Sequence, residues 1–282
     1  MVLPSRLVFK SWNTSLNPPI GKGHALLCCV LKEINALLEG CDVLYLCEFD
    51  CNDQVVKVIS MLQTSECFDW NHIYGKSLIV LNGKKGNASH KSALFYNPDV
   101  FEKVKKPELF YEPVSGMNEN NYRIGQLVTL AFVGTRKRIN FFCSHWPGHN
   151  EVDGGYKKAD AASTIYNILR KKIVHEYVVC MGDYNSEPYE TAFLNLGASR
   201  SKAYVLEHGR MYNPFWKCLT EDCGTLKYLE TSSYKAYNLL YDQIIVNKQI
   251  LEGYEVTATV LDIDRQLVNG EHWPVAVELM RR

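Results

Sequence analysis

Ten short apolar runs recur along the chain, and most of them stop on a polar or charged residue. They span Leu7–Trp12, Cys41–Cys47, Ser77–Leu81, Ala93–Tyr96, Gln126–Val133, Ile139–His145, Tyr177–Met181, Leu240–Val246, Tyr254–Leu261 and Pro274–Met280. Runs of this length, rich in β-branched and aromatic residues, predict strands. Only three segments show helical spacing. Leu27, Leu31, Ile34 and Leu38 form one face, closed by Gly40 as a carboxyl-terminal cap. Val55, Ile59 and Leu62 form a second, and Ala161, Ile165 and Leu169 a third, preceded by VDGGYKK, which reads as flexible. Strands outnumber helices and do not alternate strictly with them, which predicts an α+β fold of stacked sheets flanked by helices rather than a doubly wound parallel sheet. No Pro/Gly/Ser-rich linker divides residues 1–282, which read as one domain, and the longest loops are expected at Pro113–Tyr122 and Gly197–Ser233.

An apolar content of 46% over 282 residues supports a sizeable core. Lysine plus arginine and aspartate plus glutamate both number 31, so no overall field draws the chain toward nucleic acid or an anionic membrane. Any phosphate binding must be local. The basic runs Lys84-Lys85, Arg136-Lys137-Arg138 and Lys171-Lys172 read as solvated faces. The opening MVLPSRLVFKSWN carries early charges and no leader-like apolar run, and no stretch approaches the ~18 apolar residues of a membrane span, which predicts a soluble, cytoplasmic protein. Of the ten cysteines, Cys28, Cys29, Cys47, Cys143 and Cys180 sit inside apolar runs, where a free thiol behaves as a small hydrophobe. Cys47 with Cys51, and Cys218 with Cys223, lack a second ligand pair at zinc-site spacing.

The chemistry concentrates where the runs end. Ser11-Trp12-Asn13, Cys47-Glu48-Phe49-Asp50, Ser144-His145-Trp146, Gly182-Asp183-Tyr184-Asn185 and Gly270-Glu271-His272-Trp273 all lie there, and Tyr241-Asp242-Gln243 opens the apolar run IIV. A carboxylate among apolar strand residues is expensive to bury unless it is paired or bound to a metal, so its recurrence suggests a shared purpose. Hydrolysis of a phosphate ester matches it. The charged nonbridging oxygens require a hard divalent cation with oxygen ligands, which Glu48, Asp183 and Asn185 supply. The attacking water loses a proton to a base, and a histidine held in one tautomer by a carboxylate suits that task, as His272 and Asp242 would. Donors for the charge developing on the phosphorus oxygens and leaving group are His145, Asn185 and Arg123. Each residue also has an ordinary structural reading. Asn13 suits a turn cap, Glu48 and Arg123 solvated loop positions, GDYN a turn and Asp242 a solvated strand start, while His145 and His272 suit packed core positions.

Taken in order from Trp12 to Leu279, the pieces WN, E, SHW, GDYN, YDQIIV and EHWPV resemble the endonuclease/exonuclease/phosphatase superfamily, with its deoxyribonuclease-like fold. The resemblance implies a four-layer α/β/β/α sandwich of two mostly antiparallel sheets, with halves related by approximate two-fold symmetry and a site at one edge of the sheets. It implies that Glu48 binds Mg²⁺, that Asp183 and Asn185 position the water and stabilise the transition state, and that Asp242 and His272 form the catalytic dyad. His145 would contact the phosphate, Asn13 would lie beside the metal, and Arg123 falls near a phosphate-binding arginine. One or two Mg²⁺ ions, or Mn²⁺, are the implied cofactor. Two departures stand out. The family usually places Asp directly before its last histidine, whereas here the metal-ligand position holds Glu271, whose extra methylene can shift a ligand by about 1.5 Å. Misplacement of that order can cost about 10²-fold in rate. Some relatives also pair the first histidine with a carboxylate from the strand matching HKSALFYNP, where this chain offers Lys91 and Ser92.

His-Trp-Pro occurs twice, at 145–147 and 272–274, and the first copy reads as the approximate counterpart of the second in the other half. Trp146, Tyr184, Tyr122 and Trp273 are expected around the site, where aromatic rings would contact a nucleic-acid strand. Fold and catalytic set alone do not specify a substrate. The first reading is a Mg²⁺-dependent phosphodiesterase acting on DNA or RNA. Its alternatives are a phosphomonoesterase or small-molecule phosphodiesterase acting on an inositol phosphate or phospholipid head group, and a non-catalytic binding relative.

Overall fold

The computed structural model describes residues 3–16, 24–49, 76–81, 83–85, 88–113, 121–148, 154–172, 175–221, 223–230, 235–263 and 272–282. The expected helix at Val55–Leu62 and the departure at Glu271 lie outside the described residues. The first part of the chain forms β1 (Arg6–Leu16), α1 (His24–Leu38), β2 (Val43–Phe49), β3 (Ser77–Val80), a hairpin of β4 (Gly83–Lys85) with β5 (Ala88–His90), and β6 (Ser92–Tyr96). The middle forms β7 (Phe101–Lys103), β8 (Glu108–Pro113), β9 (Asn121–Phe132), β10 (Arg138–His145), α2 (Gly154–Lys172) and β11 (Tyr177–Asp183). There follow α3 (Thr191–Asn195), β12 (Ala198–Ser199), α4 (Lys202–His208), β13 (Met211–Tyr212), a 3-10 helix at Pro214–Glu221 and a hairpin of β14 (Leu226–Glu230) with β15 (Lys235–Leu239). The chain closes with β16 (Asp242–Asn247), α5 (Lys248–Gly253), β17 (Tyr254–Val260) and β18 (Val275–Arg281).

Two sheets carry the architecture. Their strand orders are β17-β18-β1-β2-β6-β3 and β12-β13-β16-β11-β10-β9-β7, with β8 also paired to β9. In the first sheet only β1 and β2 are parallel, with two antiparallel pairings on either side. The second repeats this pattern around the parallel pair β10 and β11, with a short parallel pairing of β12 and β13 added at its edge. A helix links each central parallel pair, α1 in one case and α2 in the other. Both sheets are thus mixed but mostly antiparallel.

Alternating side chains explain why the runs are apolar on both faces. In β2, Val43, Tyr45 and Cys47 enter the core between the sheets, while Leu44 and Leu46 meet Leu31, Ile34 and Leu38 of α1. In β11, Val179 and Met181 enter the central core, while Val178 and Cys180 meet Ala161, Ala162 and Ile165 of α2. Helix, sheet, sheet and helix therefore form the four layers of an α/β/β/α sandwich. Cys29, Cys47, Cys143 and Cys180 are free thiols, as their apolar settings predict, and so are Cys41, Cys218 and Cys223.

Two expectations need correcting. GGYKK is the start of α2, where the apolar stripe of the following turns draws it into the helix. The segment from Gly197 is not one long loop, because Ser201 caps α4 by accepting from the Tyr204 N–H at 3.2 Å, and Gly209 ends it at φ 66°. Two further glycines set the height of the strand that ends in His145. Gly125 of β9 and Gly182 of β11 both lie against Ser144 of β10. A Cβ at Gly182, where φ is 141°, would meet the Ser144 carbonyl oxygen at 1.9 Å. Gly182→Ala is expected to destabilise the protein by about 3 kcal/mol or more, at the top of the usual single-substitution range. Gly155→Ala, where a Cβ meets nothing within 4 Å, is the control that should leave a thermal or denaturant melt nearly unchanged.

Candidate active site

The polar run-ends meet because β1, β2, β10 and β11 finish at the same end of the sandwich, where β16 starts and β18 is entered. The registers state this directly: Asn13 lies opposite Cys47, His145 opposite Asp183, and Asp183 opposite Asp242. Asp183 is buried and collects groups from every side. It accepts from the Asn13 side-chain amide at 2.9 Å and from the Asn185 backbone N–H at 2.8 Å. His145 Nε2 and His272 Nε2 stand 3.8 and 3.9 Å from its Oδ2. Burial alone would push this carboxyl up, but the charges of His272 and His145 and the two hydrogen bonds outweigh it and hold Asp183 below the usual carboxylate range.

The Asp242–His272 pair forms as the residues suggested. His272 Nδ1 lies 2.7 Å from Asp242 Oδ2, both side chains being buried. Thr225, a buried residue that no run-end pointed to, fixes the carboxylate's backbone by accepting from the Tyr241 and Asp242 N–H groups at 3.0 and 2.9 Å. The Trp12 indole N–H donates to the His272 carbonyl at 3.1 Å, and the Trp273 N–H donates to the Thr225 carbonyl at 2.7 Å. Burial opposes a charge on His272, yet Asp242 and Asp183 raise the imidazole to about 9. Burial likewise raises Asp242 to about 6, against the pull of His272.

Three of the four non-glycine residues with positive φ among the described residues lie here: Ser15 at 50°, Glu48 at 51° and Asn185 at 47°. Such backbone is costly for L-residues and persists where surrounding bonds dictate it. Asn13 Oδ1 accepts from the Ser15 N–H at 3.0 Å, so both ends of the Asn13 amide are engaged within the protein. Asn185 sits in a turn built on Asp183, and its side-chain amide donates to the Trp146 carbonyl at 3.0 Å. Glu48 stands 3.6 Å from His145 Nε2, so both Glu48 and Asp183 face the first histidine. Arg123 lies on β9, opposite Tyr111. Burial first, then Asp183 and Glu48, push the Cys47 thiol well up, while the Arg123 charge acts on it the other way and so reaches the site.

The donor set fits a hard divalent cation. Glu48 and Asp183 offer carboxylate oxygens and Asn13 and Asn185 carboxamides, the chemistry that Mg²⁺ and Mn²⁺ prefer. Among the described residues, Asp183, Asp242 and His272 also bring ligand atoms within 4.8 Å of one another.

The two His-Trp-Pro stretches are not counterparts. His145 ends β10, whereas His272 precedes β18, and the repeated pairing sets β10 against β1 and β18 against β9. Counting from Ser11 opposite Val275 and Cys143 opposite Gln126, His145 corresponds to Asn13 and His272 to Arg123. The expected aromatic surround also changes. Trp146 and Tyr184 are fully buried, with ring centroids 4.7 Å apart, and pack with Tyr122 in the layer beneath α2. Each follows a site residue in its strand direction and therefore faces away from it. Trp273 is half-buried and packs against the α1 layer.

Lys158 is a residue the reading of the run-ends missed. It is 1% exposed, the one lysine or arginine in the buried set of described residues. Its Nζ donates to the Asn185 carbonyl at 2.6 Å and stands 3.7 Å from Glu190, whose other oxygen accepts from the Glu187 N–H at 2.9 Å. Burial lowers Lys158 despite Glu190. A signal was present: Lys158 falls three, four and seven residues before Ala161, Ala162 and Ile165, on the apolar stripe of α2.

A model of the endonuclease/exonuclease/phosphatase family matches residues 22–272. The chain belongs to the endonuclease/exonuclease/phosphatase family. A family protein from Bacteroides thetaiotaomicron is 16% identical, with TM-score 0.64 and full coverage of both chains. The D. rerio TDP2 structure complexed with single strand DNA product is 13% identical, with TM-score 0.64 over 98% of this chain and 99% of that one. The human Nocturnin catalytic domain with bound sulfate is 15% identical, with TM-score 0.62 over 100% and 97%. At these identities the structures speak for the family fold. No curated protein sequence matches the chain.

Two measurements check the geometry. In an NMR titration of the cation-free protein, the His272 imidazole is expected to titrate near 9, and Asp242→Asn should move it to lower pH; an unchanged midpoint would remove the pairing. Lys158→Met keeps the volume and removes the buried charge, so the fold should persist. Hydrogen exchange at the amides of the Asn185 turn should quicken about tenfold, the equivalent of roughly one net hydrogen bond.

Proposed function

We propose that the protein is a divalent-cation-dependent phosphodiesterase that cleaves nucleic acid by attack of water on phosphorus. The observation that carries this reading is the approach of two histidines to the buried Asp183 carboxylate, one of them hydrogen-bonded to Asp242. With the imidazole in its neutral form, which is populated as pH rises toward 9, Asp242 accepts from the Nδ1–H of His272 and leaves Nε2 to take a proton from water. Asp183, held anionic beside that nitrogen, orients the water and favours the imidazolium that results. The Asn185 carboxamide and His145 serve as donors to the phosphorus oxygens, with Arg123 as a further phosphate contact. A bound Mg²⁺ or Mn²⁺, held by Glu48 with Asp183 and Asn13 beside it, supplies charge screening at the nonbridging oxygens. In the family pattern Glu271 would be a further ligand.

The single-strand DNA product in the D. rerio TDP2 structure supports a polymeric phosphodiester as substrate by analogy. The burial of Trp146 and Tyr184 takes away two stacking rings and favours, as a second reading, a small phosphodiester or a phosphomonoester such as an inositol phosphate. The test incubates the protein with Mg²⁺ or Mn²⁺ against supercoiled plasmid, single-stranded DNA, RNA, a chromogenic phosphodiester and inositol phosphates. Asp183→Ala and His272→Ala should each lower kcat by about 10²–10⁴-fold on the preferred ester. Hydrolysis that survives both substitutions would overturn the assignment.

A further inference from the structure

One of the basic runs that read as solvated faces, Arg136-Lys137-Arg138, meets further cations in the fold. Arg136 and Lys137 lie in the turn between β9 and β10, Arg138 starts β10, and Arg170 lies in the last turn of α2. Two adjoining hollows of about 310 and 520 Å³ open there and share His175 and Gln249. Arg170, Arg210 and His208 line the first, which has no carboxylate in its lining. Arg136, Lys137 and Arg138 line the second, together with Glu176 and Glu252. Both carboxylates already face cations: Arg138 stands 3.8 Å from Glu176, and Lys248 stands 3.8 Å from Glu252. His208 has Glu207 at 3.9 Å. Arg136, Lys137 and Arg170 are exposed. In a chain whose formal charges cancel, this is a local surplus of the kind phosphate binding needs.

We propose that this face holds the phosphate backbone of a nucleic-acid strand at a distance from the site of cleavage, an inference that rests on the proposed nucleic-acid substrate. Each hollow carries a tyrosine beside its cations, Tyr166 in the first and Tyr177 in the second, and Arg210 lies over the Tyr166 ring at 5.7 Å. Cations interleaved with rings suit a strand with bases more than a lipid surface. The same elements tie the face to the site. Tyr177 begins the seven-residue β11 that ends in Asp183, so at ~3.3 Å per residue the two lie about 20 Å apart. A dinucleotide cannot span that distance, whereas a strand of about 16 nucleotides can. Long substrates therefore gain binding that short ones lack, with the reacting groups unchanged.

The test compares wild-type side chains with the exposed triple variant Arg136→Gln, Lys137→Gln, Arg170→Gln. Binding is measured by fluorescence anisotropy in the Asp183→Ala background, with a labelled single strand of about 16 nucleotides across a salt series. The slope of log K against log salt should flatten by about 2, from roughly 0.7 for each lost phosphate contact, and Kd should rise on the order of tenfold at low salt. With Asp183 intact, KM for the strand should rise while kcat and hydrolysis of a chromogenic phosphodiester stay as they were. An unaltered slope and KM would overturn the proposal and leave the catalytic reading standing. Loss of binding to phosphatidylserine vesicles, with strand binding intact, would overturn it in favour of a membrane surface. If no ester is hydrolysed at all, the catalytic reading fails, and the anisotropy comparison still decides the face.

Discussion

The site depends on the burial of one carboxylate. Asp183 lies in the interior at the end of a core strand, and its ionised form survives there because neighbours from other segments supply hydrogen bonds and charge. Asn13 arrives from β1, His145 from β10, His272 from the entry to β18, and the Asn185 N–H from the turn that follows. Those partners must all be present at once, so β1, β10, β11 and β18 must end or begin at one level. The glycines packed on Ser144 let the neighbouring strands of the second sheet approach closely enough for that.

The repeated strand pattern places the halves in correspondence but not in chemistry. Where the second sheet has His145, Asp183, Asp242 and Arg123, the first has Asn13, Cys47, Ser92 and His272. The asymmetry has an electrostatic reason. Burial, with the nearby Asp183 charge adding to it, already raises Asp242, and carboxylates at the Cys47 and Ser92 positions would add further like charge in the same interior. The neutral Asn13 amide and the His272 charge, both from the first sheet, favour the ionised form of Asp183 instead. Lys158 continues the same logic outside the repeat, using a buried ammonium and Glu190 to hold the turn that carries Asn185.

β10 and β11 also run from the cationic end of the sandwich to the polar cluster around Asp183. The strand starts of β10 and β11 carry Arg138 and Tyr177, and their last residues are His145 and Asp183. Formal neutrality of the whole chain conceals this separation, because the run Arg136-Lys137-Arg138, Arg170 and Arg210 are distant from one another in sequence and come together only across the folded surface.

The amino-acid sequence by itself determined the central strands, because β2, β10, β11 and β16 are buried on both faces and their runs of apolar residues have no other stable place. It also determined the residues that meet at the strand ends, since a polar side chain closing a core strand is rarely neutral in energy. Only the tertiary structure decided their partners. That His272 corresponds to Arg123, that Glu48 faces His145, and that Trp146 and Tyr184 turn away into the helix layer all follow from register, which no local pattern states. The part played by Thr225 was likewise invisible, because its hydroxyl matters only once β16 starts beside it. Lys158 lay in view as a charge on an apolar stripe, and packing alone showed the carbonyl that makes its burial stable.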